Sequence, residues 1–350
     1  MTDDATGERR ARLTRRGRIV LGFVAVLLVV GLGAGLWVLR QVNPGGGPGE
    51  KVAVDIVPGT SVSAVSEELE DEGVITSAQI FRMYLKVTGG AGTIQAGEYE
   101  LRRNLSMGEA RAALRRGPSI RFERLTIPEG FTLEKIADKV GELPGRSRDK
   151  FLAAARSGAI RSKWQPPGQN NLEGLLFPDT YLVTDKEDEA AILRRLVTRF
   201  EQVTDEVGLG RAAPPTGLSP YQLIVAASLV ESEAKVDEDR PLIASVISNR
   251  LQKGMKLQID ATVLYAIGHK DKVLYSDLEV DSPYNTYKID GLPPTPISAS
   301  GKGSLAAMLR PADTTFLFYV LSDKNGKHAF ATTASEFEAL KAEARRKGLI

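Results

Sequence analysis

Two glutamates at the end of an apolar segment are the best candidates in this sequence for acid–base chemistry. Glu231 and Glu233 follow residues 223–230, which are almost all aliphatic or small. A carboxyl group among apolar side chains keeps its proton to a higher pH, because burial disfavours the charged form, and a general acid near neutral pH needs this property. The alternative interpretation is that both residues form the polar end of a helix, since glutamate is usually exposed.

The spacing of the two glutamates argues against a close carboxylate pair. Residues two apart on an α-helix do not face each other, so Glu231 and Glu233 lie on different faces of the predicted helix. Only one of them is therefore expected to enter an active site.

The elements that position these glutamates are predicted by capping signals. Ser219 fits an N-cap, Pro220 fits the first helical position, and Gln222 closes a capping box, so the central helix starts here. A second helix is expected near residues 241–253. A short strand is expected to follow it at residues 257–260.

Six polar or aromatic side chains occur in the segments that follow the central helix. Their amide, carboxylate and aromatic groups suit the hydroxyl groups and ring faces of sugars. Each also has a plain structural interpretation, as a helix end, the solvent side of a strand, or loop packing. The residues are Asn249, Gln258, Asp260, Tyr284, Asn285 and Tyr287.

Composition gives little support to other chemistries. The chain has no cysteine, which excludes disulfides and thiolate metal sites. Its net charge of +2 does not indicate nucleic-acid binding. The alternating acids at residues 277–281 are interpreted as a solvated strand rather than a calcium loop. No metal or cofactor is expected.

The two histidines lie in different elements without metal-ligand spacing. The first is His269; the second, His328, stands next to Asn325-Gly326, a strong β-hairpin signal. His328 is therefore interpreted as a surface residue of a strand rather than as a base.

The N-terminal region predicts a membrane anchor. Residues 19–39 carry no charge and are long enough to span a bilayer as a helix. Arginines are frequent in residues 1–18, whereas Arg40 stands alone after the apolar segment, so the positive-inside rule places the N-terminus in the cytoplasm and the rest of the chain outside. A cleaved signal peptide is the alternative, but its apolar region is normally shorter. Residues 40–51, rich in glycine, predict a flexible linker.

Several sequence blocks in a fixed order resemble the endolytic murein transglycosylase (MltG, YceG-like) family. The resemblance covers nearly the whole chain, including the single N-terminal anchor and a small strand–helix domain. Ala261, where the family often has proline, and Thr295 are small departures that affect no catalytic position. The blocks are Leu172-Glu173-Gly174-Leu175-Leu176-Phe177-Pro178-Asp179-Thr180-Tyr181, Ala227-Ser228-Leu229-Val230-Glu231-Ser232-Glu233-Ala234, Ser248-Asn249-Arg250-Leu251, Leu257-Gln258-Ile259-Asp260-Ala261-Thr262-Val263, Tyr284-Asn285-Thr286-Tyr287 and Gly291-Leu292-Pro293-Pro294.

This resemblance implies an α+β fold in three parts. A single transmembrane helix at residues 19–39 precedes a small LysM-like α+β domain at residues 52–120. A larger α+β catalytic domain follows at residues 121–350. The anchor places the enzyme in the plasma membrane, with the catalytic domain on the extracytoplasmic side.

The resemblance also implies cleavage of peptidoglycan glycan strands by a single glutamic acid. Glu233 is the implied acid/base, and Glu231 is the fallback. Glu233 protonates the oxygen between MurNAc and GlcNAc and then accepts a proton from the MurNAc C6 hydroxyl, which attacks C1 and leaves a 1,6-anhydro end. Glu173 is expected to give a supporting contact, and the six polar or aromatic residues above are expected to position the sugars.

Two alternatives to this activity stay open at the level of sequence. One is a peptidoglycan hydrolase that uses water, and the other is a non-catalytic wall-binding scaffold. The family's association with the ending or release of nascent glycan strands makes peptidoglycan synthases the expected protein partners.

Overall fold

Two units of mixed helix and strand make up the chain, one within Met1–Phe122 and the other within Glu123–Ile350. The mixed α+β class predicted from the sequence is confirmed. This computed structural model describes residues 15–211, 217–268 and 273–350.

The first element is an apolar helix, α1 (Arg15–Val42). Its segment Val20–Val42 has a mean hydropathy of 2.4, and none of that segment is buried by protein. Its length and composition are those of a helix that can cross a membrane. Arg9, Arg10 and Arg12, which contribute to the predicted orientation, lie outside the described residues.

The first unit is built on antiparallel strands with helices packed against them. Its elements are β1 (Lys51–Ile56), α2 (Val62–Asp71), α3 (Ala78–Val87), β2 (Gly97–Arg102) and α4 (Met107–Arg116). β1 and β2 pair in the register Lys51↔Arg102 through Ile56↔Gly97. Val54, Phe81 and Tyr99 are fully buried between these layers.

The segment between α1 and β1 is held by hydrogen bonds. Asn104 Nδ2 donates to the carbonyls of Gly45 and Gly47, at 3.0 and 2.9 Å. Asn104 itself adopts φ 58°, in the left-handed region. The partner of these carbonyls lies about 60 positions further along the chain, where composition gives no sign of it. The flexibility of the linker at residues 40–51 stays a prediction.

The second unit is mainly helical. Strand β3 (Ile120–Thr126) leads into it. The first two residues of β3, Ile120 and Arg121, pair with β2. The elements that follow are α5 (Leu133–Gly141), α6 (Arg148–Arg156), β4 (Thr180–Thr184), α7 (Glu189–Val207), α8 (Pro220–Glu233), α9 (Arg240–Gln252), α10 (Asp260–Ala266), α11 (Lys302–Leu309), β5 (Phe318–Leu321), β6 (His328–Ala331) and α12 (Ala334–Arg346).

Helix α8 lies at the centre of this unit. Every residue from Leu223 to Val230 is buried, and α9, α10 and α11 pack around it. The predicted capping box is confirmed, since Ser219 Oγ accepts from the Gln222 amide and the Gln222 side chain accepts from the Ser219 amide, at 3.3 and 2.9 Å. Packing on all sides fixes α8, so its C-terminal end presents its last side chains in defined directions.

The predicted hairpin is confirmed as β5 and β6. The two strands are antiparallel, with Tyr319 opposite Phe330 and Leu321 opposite His328. Gly326, in the connecting loop, has φ 92°, and a Cβ at this position would lie 2.5 Å from the Cβ of Lys235. Only glycine permits both this conformation and this close approach.

The short strand predicted at residues 257–260 is not formed. Gln258 adopts φ 52°, and Asp260 is the first residue of α10. The Arg250 guanidinium, buried behind this turn, donates to the Leu257 carbonyl at 2.8 Å. The alternation of polar and apolar residues therefore reflects the anchoring of a turn rather than the two faces of a strand.

The acidic residues at 277–281 also do not form the predicted strand. Tyr275–Glu279 is a 3₁₀ helix. Asn285, fully buried, donates from Nδ2 to the carbonyls of Leu278 and Val280, at 2.8 and 2.9 Å. These bonds fix the end of the 3₁₀ helix, which the acidic pattern alone does not predict.

Candidate active site

A groove with a volume of about 420 Å³ opens beside the C-terminal end of α8. The ends of α8 and α9, the turn before α10, the hairpin and α12 all contribute to its walls. Carboxylates, an amide and aromatic rings face the same space. The lining residues are Glu233, Arg250, Leu257, Gln258, Asp260, Tyr287, Phe318, Tyr319, Phe337 and Lys341.

Glu233 is the last residue of α8 and lies in this groove. The Tyr319 hydroxyl donates to Glu233 Oε2 at 3.0 Å, and the backbone amide of Ala261 donates to the same carboxylate. Burial raises the pKa of Glu233 to about 7; the Tyr319 hydrogen bond opposes this rise, and the nearby charge of Asp260 adds to it. A carboxyl group in this state can both donate and accept a proton near neutral pH.

Asp260 supplies a second carboxylate to the groove. Its side chain is exposed, and the Tyr287 hydroxyl donates to Asp260 Oδ1 at 2.5 Å. Burial, followed by this hydrogen bond, raises the pKa of Tyr287, which therefore stays a donor at physiological pH. The pair places an oriented acceptor in the same groove as Glu233.

Gln258 and an aromatic wall complete the groove. Gln258 is exposed in a left-handed conformation, which for a residue other than glycine is often found at functional sites. Phe318 and Phe337 are stacked with ring centroids 5.0 Å apart, and Lys341 Nζ lies 5.1 Å from the Phe337 ring. Flat rings beside amide and carboxylate groups form a surface suited to a sugar.

Glu231 does not reach this groove. Its carboxylate is 5% exposed and accepts from Arg240 Nη1 at 3.1 Å and from the Gly301 amide at 2.9 Å. The two glutamates therefore face different surroundings, as their spacing predicts. Glu231 serves here as the buried partner of an arginine.

Glu173 lies in the core rather than among the groove residues. It accepts from the Leu133 amide at 2.9 Å and from the Tyr265 hydroxyl at 3.0 Å. Burial raises the pKa of Glu173 to about 7. These contacts tie the start of α5 to α10, so Glu173 supports the fold around the site.

Three further residues predicted to contact sugars have protein partners instead. Asn249 Nδ2 donates to the carbonyls of Thr314 and Phe316, at 2.8 and 2.9 Å. The Tyr284 hydroxyl lies 2.8 Å from Thr295 Oγ1. Asn285 Nδ2 donates both of its hydrogen bonds to carbonyls at the end of the 3₁₀ helix described above. Of the six residues predicted to position sugars, the structure brings Gln258, Asp260 and Tyr287 into the groove with Glu233.

The interpretation of His328 as a surface residue is wrong. Only 10% of its side chain is exposed, and its Nδ1 lies 3.0 Å from Oδ2 of the buried Asp239. The other histidine, His269, lies outside the described residues. Hairpin signals predict the strand but not the acid that faces it from the start of α9.

Tyr319 is the main site residue that the sequence does not reveal. It is 86 positions from Glu233 along the chain. The only available signal is its place in the first strand of the predicted hairpin, where tyrosine is common for structural reasons.

Comparison with known proteins finds similarity to one family. A model described as the YceG-like family matches residues 54–343. The endolytic murein transglycosylase of Bacillus subtilis is 35% identical over 309 residues, which cover 83% of this chain and 84% of that protein. The endolytic murein transglycosylase of Streptococcus pneumoniae is 29% identical over 92% of this chain, which spans only 64% of the length of that protein.

A solved structure has the same fold. The crystal structure of a YceG-like protein from Listeria monocytogenes superposes with a TM-score of 0.55 at 33% sequence identity. The match covers 83% of this chain and 99% of the other. Sequence and structure thus point to one family.

Proposed function

This chain belongs to the YceG-like family, and from that premise we propose that it is a membrane-anchored endolytic lytic transglycosylase of peptidoglycan. The observation that carries the proposal is the position of Glu233, a buried carboxyl group with its pKa raised to about 7, in a groove lined by amide, carboxylate and aromatic groups. The names of the curated relatives, endolytic murein transglycosylases, support the same substrate and reaction.

The proposed reaction uses Glu233 twice. Its protonated form donates to the oxygen that links MurNAc to GlcNAc, and that bond breaks as positive charge develops at C1 of MurNAc. The resulting carboxylate accepts the proton of the MurNAc C6 hydroxyl while the C6 oxygen bonds to C1. The products are a free GlcNAc hydroxyl and a 1,6-anhydroMurNAc end, and Glu233 is protonated again.

One acid/base is sufficient for this reaction because the nucleophile belongs to the substrate. Most glycoside hydrolases need two carboxyl groups, since water or an enzyme nucleophile must be activated separately from the leaving group. The C6 hydroxyl is already attached to the reacting sugar, and proximity of this kind lowers the barrier substantially.

The remaining groove residues have proposed roles in holding the sugar. In this proposal Gln258 and Tyr287 bond hydroxyl groups of the sugar, and the stacked pair Phe318–Phe337 contacts its apolar parts. The Asp260 carboxylate favours the positive charge that develops at C1. Glu233 stays the proposed acid/base, and Glu231 is its alternative.

A hydrolase is the second candidate, and Asp260 is the observation that favours it. A hydrolase needs a second carboxylate to activate water, and Asp260 lies in the same groove. The two reactions differ in their products, because hydrolysis adds one water to the MurNAc end.

The organisation of the whole chain is part of the proposal. Helix α1 anchors the protein in the plasma membrane with its N-terminus in the cytoplasm, so the groove acts on the extracytoplasmic side. Residues 52–120 form a LysM-like module that binds glycan strands. Peptidoglycan synthases are the proposed partners, because cleavage of this kind ends or releases nascent strands.

The direct test compares Glu233→Gln with Glu231→Gln on purified peptidoglycan. Loss of a general acid lowers the rate by roughly 10²–10⁴-fold, so the Glu233 variant should form almost no anhydro ends while remaining folded. The Glu231 variant is expected to be less stable, because it weakens a buried ion pair, yet to form anhydro ends. The reverse result would assign the role to Glu231, and binding without product from the wild-type protein would favour a scaffold.

A further inference from the structure

A buried acid–histidine pair lies behind the groove and takes no part in the reaction described above. Asp239, at the end of the 3₁₀ helix Asp237–Asp239, is completely buried. Its Oδ2 accepts from the His328 backbone amide at 2.7 Å and lies 3.0 Å from His328 Nδ1. Within the described residues, Asp239 Oδ1 has no hydrogen-bond partner.

A pair of this kind lowers the stability of the fold rather than raising it. A buried carboxylate that leaves one oxygen unbonded loses hydration without full compensation. Its contact with His328 Nδ1 does, however, fix the orientation of the imidazole ring, because a ring turned the other way would lose this hydrogen bond. The observation therefore raises the question of what the oriented ring contacts.

The imidazole ring contacts the tyrosine that bonds Glu233. In the hairpin, His328 pairs with Leu321 and Tyr319 pairs with Phe330, so His328 and Tyr319 are diagonal neighbours on one face. Their ring centroids are 5.4 Å apart, with an interplanar angle of 85°. The edge-to-face contact limits the directions in which the Tyr319 hydroxyl can point.

The rest of the hairpin is fixed independently of this contact. At the loop, Gly326 lies directly against Lys235. At the base, Asn249 and Arg250 of α9 bond the carbonyls of residues 314, 316 and 317. The backbone of the strands is thus held at both ends, and between these ends Asp239 contacts both the backbone amide and the ring of His328.

We propose that Asp239 and His328 are positioning residues of the active site, which hold the Tyr319 hydroxyl on the Glu233 carboxylate. The inference rests on the proposed role of Glu233. The proposed site then includes four side chains in contact. Asp239 orients the His328 ring, the His328 ring limits the orientation of the Tyr319 hydroxyl, and that hydroxyl donates to Glu233.

The test is the pH dependence of kcat/KM for anhydro-end formation in His328→Ala. The Tyr319 hydrogen bond lowers the pKa of Glu233, so a displaced Tyr319 lets that pKa rise. The high-pH limb of the profile should therefore move to higher pH, as in Tyr319→Phe. We also expect kcat to fall by roughly tenfold to a hundredfold with little change in KM.

Two comparisons separate positioning from simple stabilisation. In the Tyr319→Phe background, His328→Ala should produce no further shift of the limb, because the bond that it controls is already absent. Gly145→Ala is the matched control: it strains a left-handed position at φ 72°, away from the hairpin, so it should lower Tm and leave the limb in place.

The outcomes are distinct. If His328→Ala lowers Tm but leaves kcat and the limb unchanged, the pair is structural and the inference is overturned. If His328→Ala does not fold, His328→Gln, which keeps an N–H donor toward Asp239, and Asp239→Asn decide by the same readout. Absence of anhydro ends from the wild-type protein would instead contradict the proposed function itself.

Discussion

The surroundings of Glu233 shift its pKa in opposite directions. Burial and the Asp260 charge favour the neutral form, whereas the Tyr319 hydroxyl favours the carboxylate. The balance leaves a pKa of about 7. A group that must first donate and then accept a proton is well served by such a value.

This balance predicts the pH dependence of the free enzyme. Catalysis begins with protonated Glu233, so kcat/KM should fall as pH rises through about 7. Asp260→Asn removes a charge that raises the pKa of Glu233, so its limb should move to lower pH, opposite to the shift expected for Tyr319→Phe. Profiles of anhydro-end formation check both directions.

A suitable control for these profiles is Glu142→Gln, a change at an exposed residue of the same unit. It should leave the limb where the wild-type protein has it. Shifts of both active-site variants in the same direction would contradict the assignment of the limb to Glu233.

Glu173 predicts a pH dependence of stability rather than of activity. Its folded-state pKa of about 7 lies above the ordinary value of 4.5, so the folded protein favours the protonated form. The penalty for ionising it is absent below about pH 4.5, grows between there and pH 7, and is complete above that. The full difference is of the order of 3 kcal/mol.

The unfolding free energy of the wild-type protein should therefore fall between pH 5 and pH 8. In Glu173→Gln this fall should be smaller by up to roughly 3 kcal/mol. Denaturant unfolding at several pH values measures this, with Glu142→Gln again as the exposed control. An unchanged pH slope in the Glu173 variant would show that the carboxyl group is already ionised in the folded protein.

At this scale the sequence predicts the acid but not its partners. The apolar run before Glu231 and Glu233 marks the region, and the family pattern selects Glu233. Tyr319 is invisible because its contact depends on tertiary packing over 86 positions. Asn249 and Asn285 look like ligand-binding amides in sequence, yet they satisfy backbone carbonyls, the commoner use of a buried amide.

At the scale of elements, α8 and the β5–β6 hairpin are the two parts that must meet. Helix α8 is predictable because Ser219 and Gln222 give a complete capping box ahead of a fully apolar run. The turn at Gln258 is not predictable, because its left-handed conformation is sustained by Arg250 from a different element. Local propensity therefore gives the helix that carries Glu233 but not the turn that carries Asp260.

The packing of the hairpin loop predicts a strong effect for Gly326→Ala. The variant would combine a left-handed residue with a Cβ only 2.5 Å from that of Lys235, so the loop must shift away from the chain after α8. We expect a loss of about 1–3 kcal/mol in unfolding free energy, together with lower activity, because Tyr319 moves with the hairpin.

The matched control is Gly145→Ala, at φ 72° but with open space around the position of a Cβ. It carries the conformational penalty without the clash, so its destabilisation should be smaller and its activity unchanged. Equal effects of the two variants on activity would contradict the proposed dependence of the site on the hairpin loop.

At the scale of the whole molecule, an apolar helix, a small α+β unit and a larger unit with the groove follow one another in the chain. The apolar N-terminal helix is predictable from composition, and the α+β class is implied by the family resemblance. The hydrogen bonds of the segment after α1 are not predictable, because their donor, Asn104, lies beyond β2. The cellular orientation of the chain stays a prediction from the arginines of the N-terminus.

If α1 is the membrane anchor, its removal should release the protein from the membrane fraction without abolishing its activity. The full chain should sediment with membranes, whereas a chain that begins at residue 43 should be soluble, because Val20–Val42 carries the apolar surface. The groove lies in the other unit, so the shortened protein should still cleave isolated glycan strands. Recovery of the full chain in the soluble fraction would contradict the anchor.

The mass of the new glycan ends in heavy-oxygen water tests the central claim most directly. If Glu233 works with the substrate's own C6 hydroxyl, the wild-type protein yields anhydroMurNAc ends that are one water lighter than reducing ends and contain no heavy oxygen, and Glu233→Gln yields almost none. Reducing ends that carry the heavy oxygen at C1 would show that water is the nucleophile, and would contradict the account.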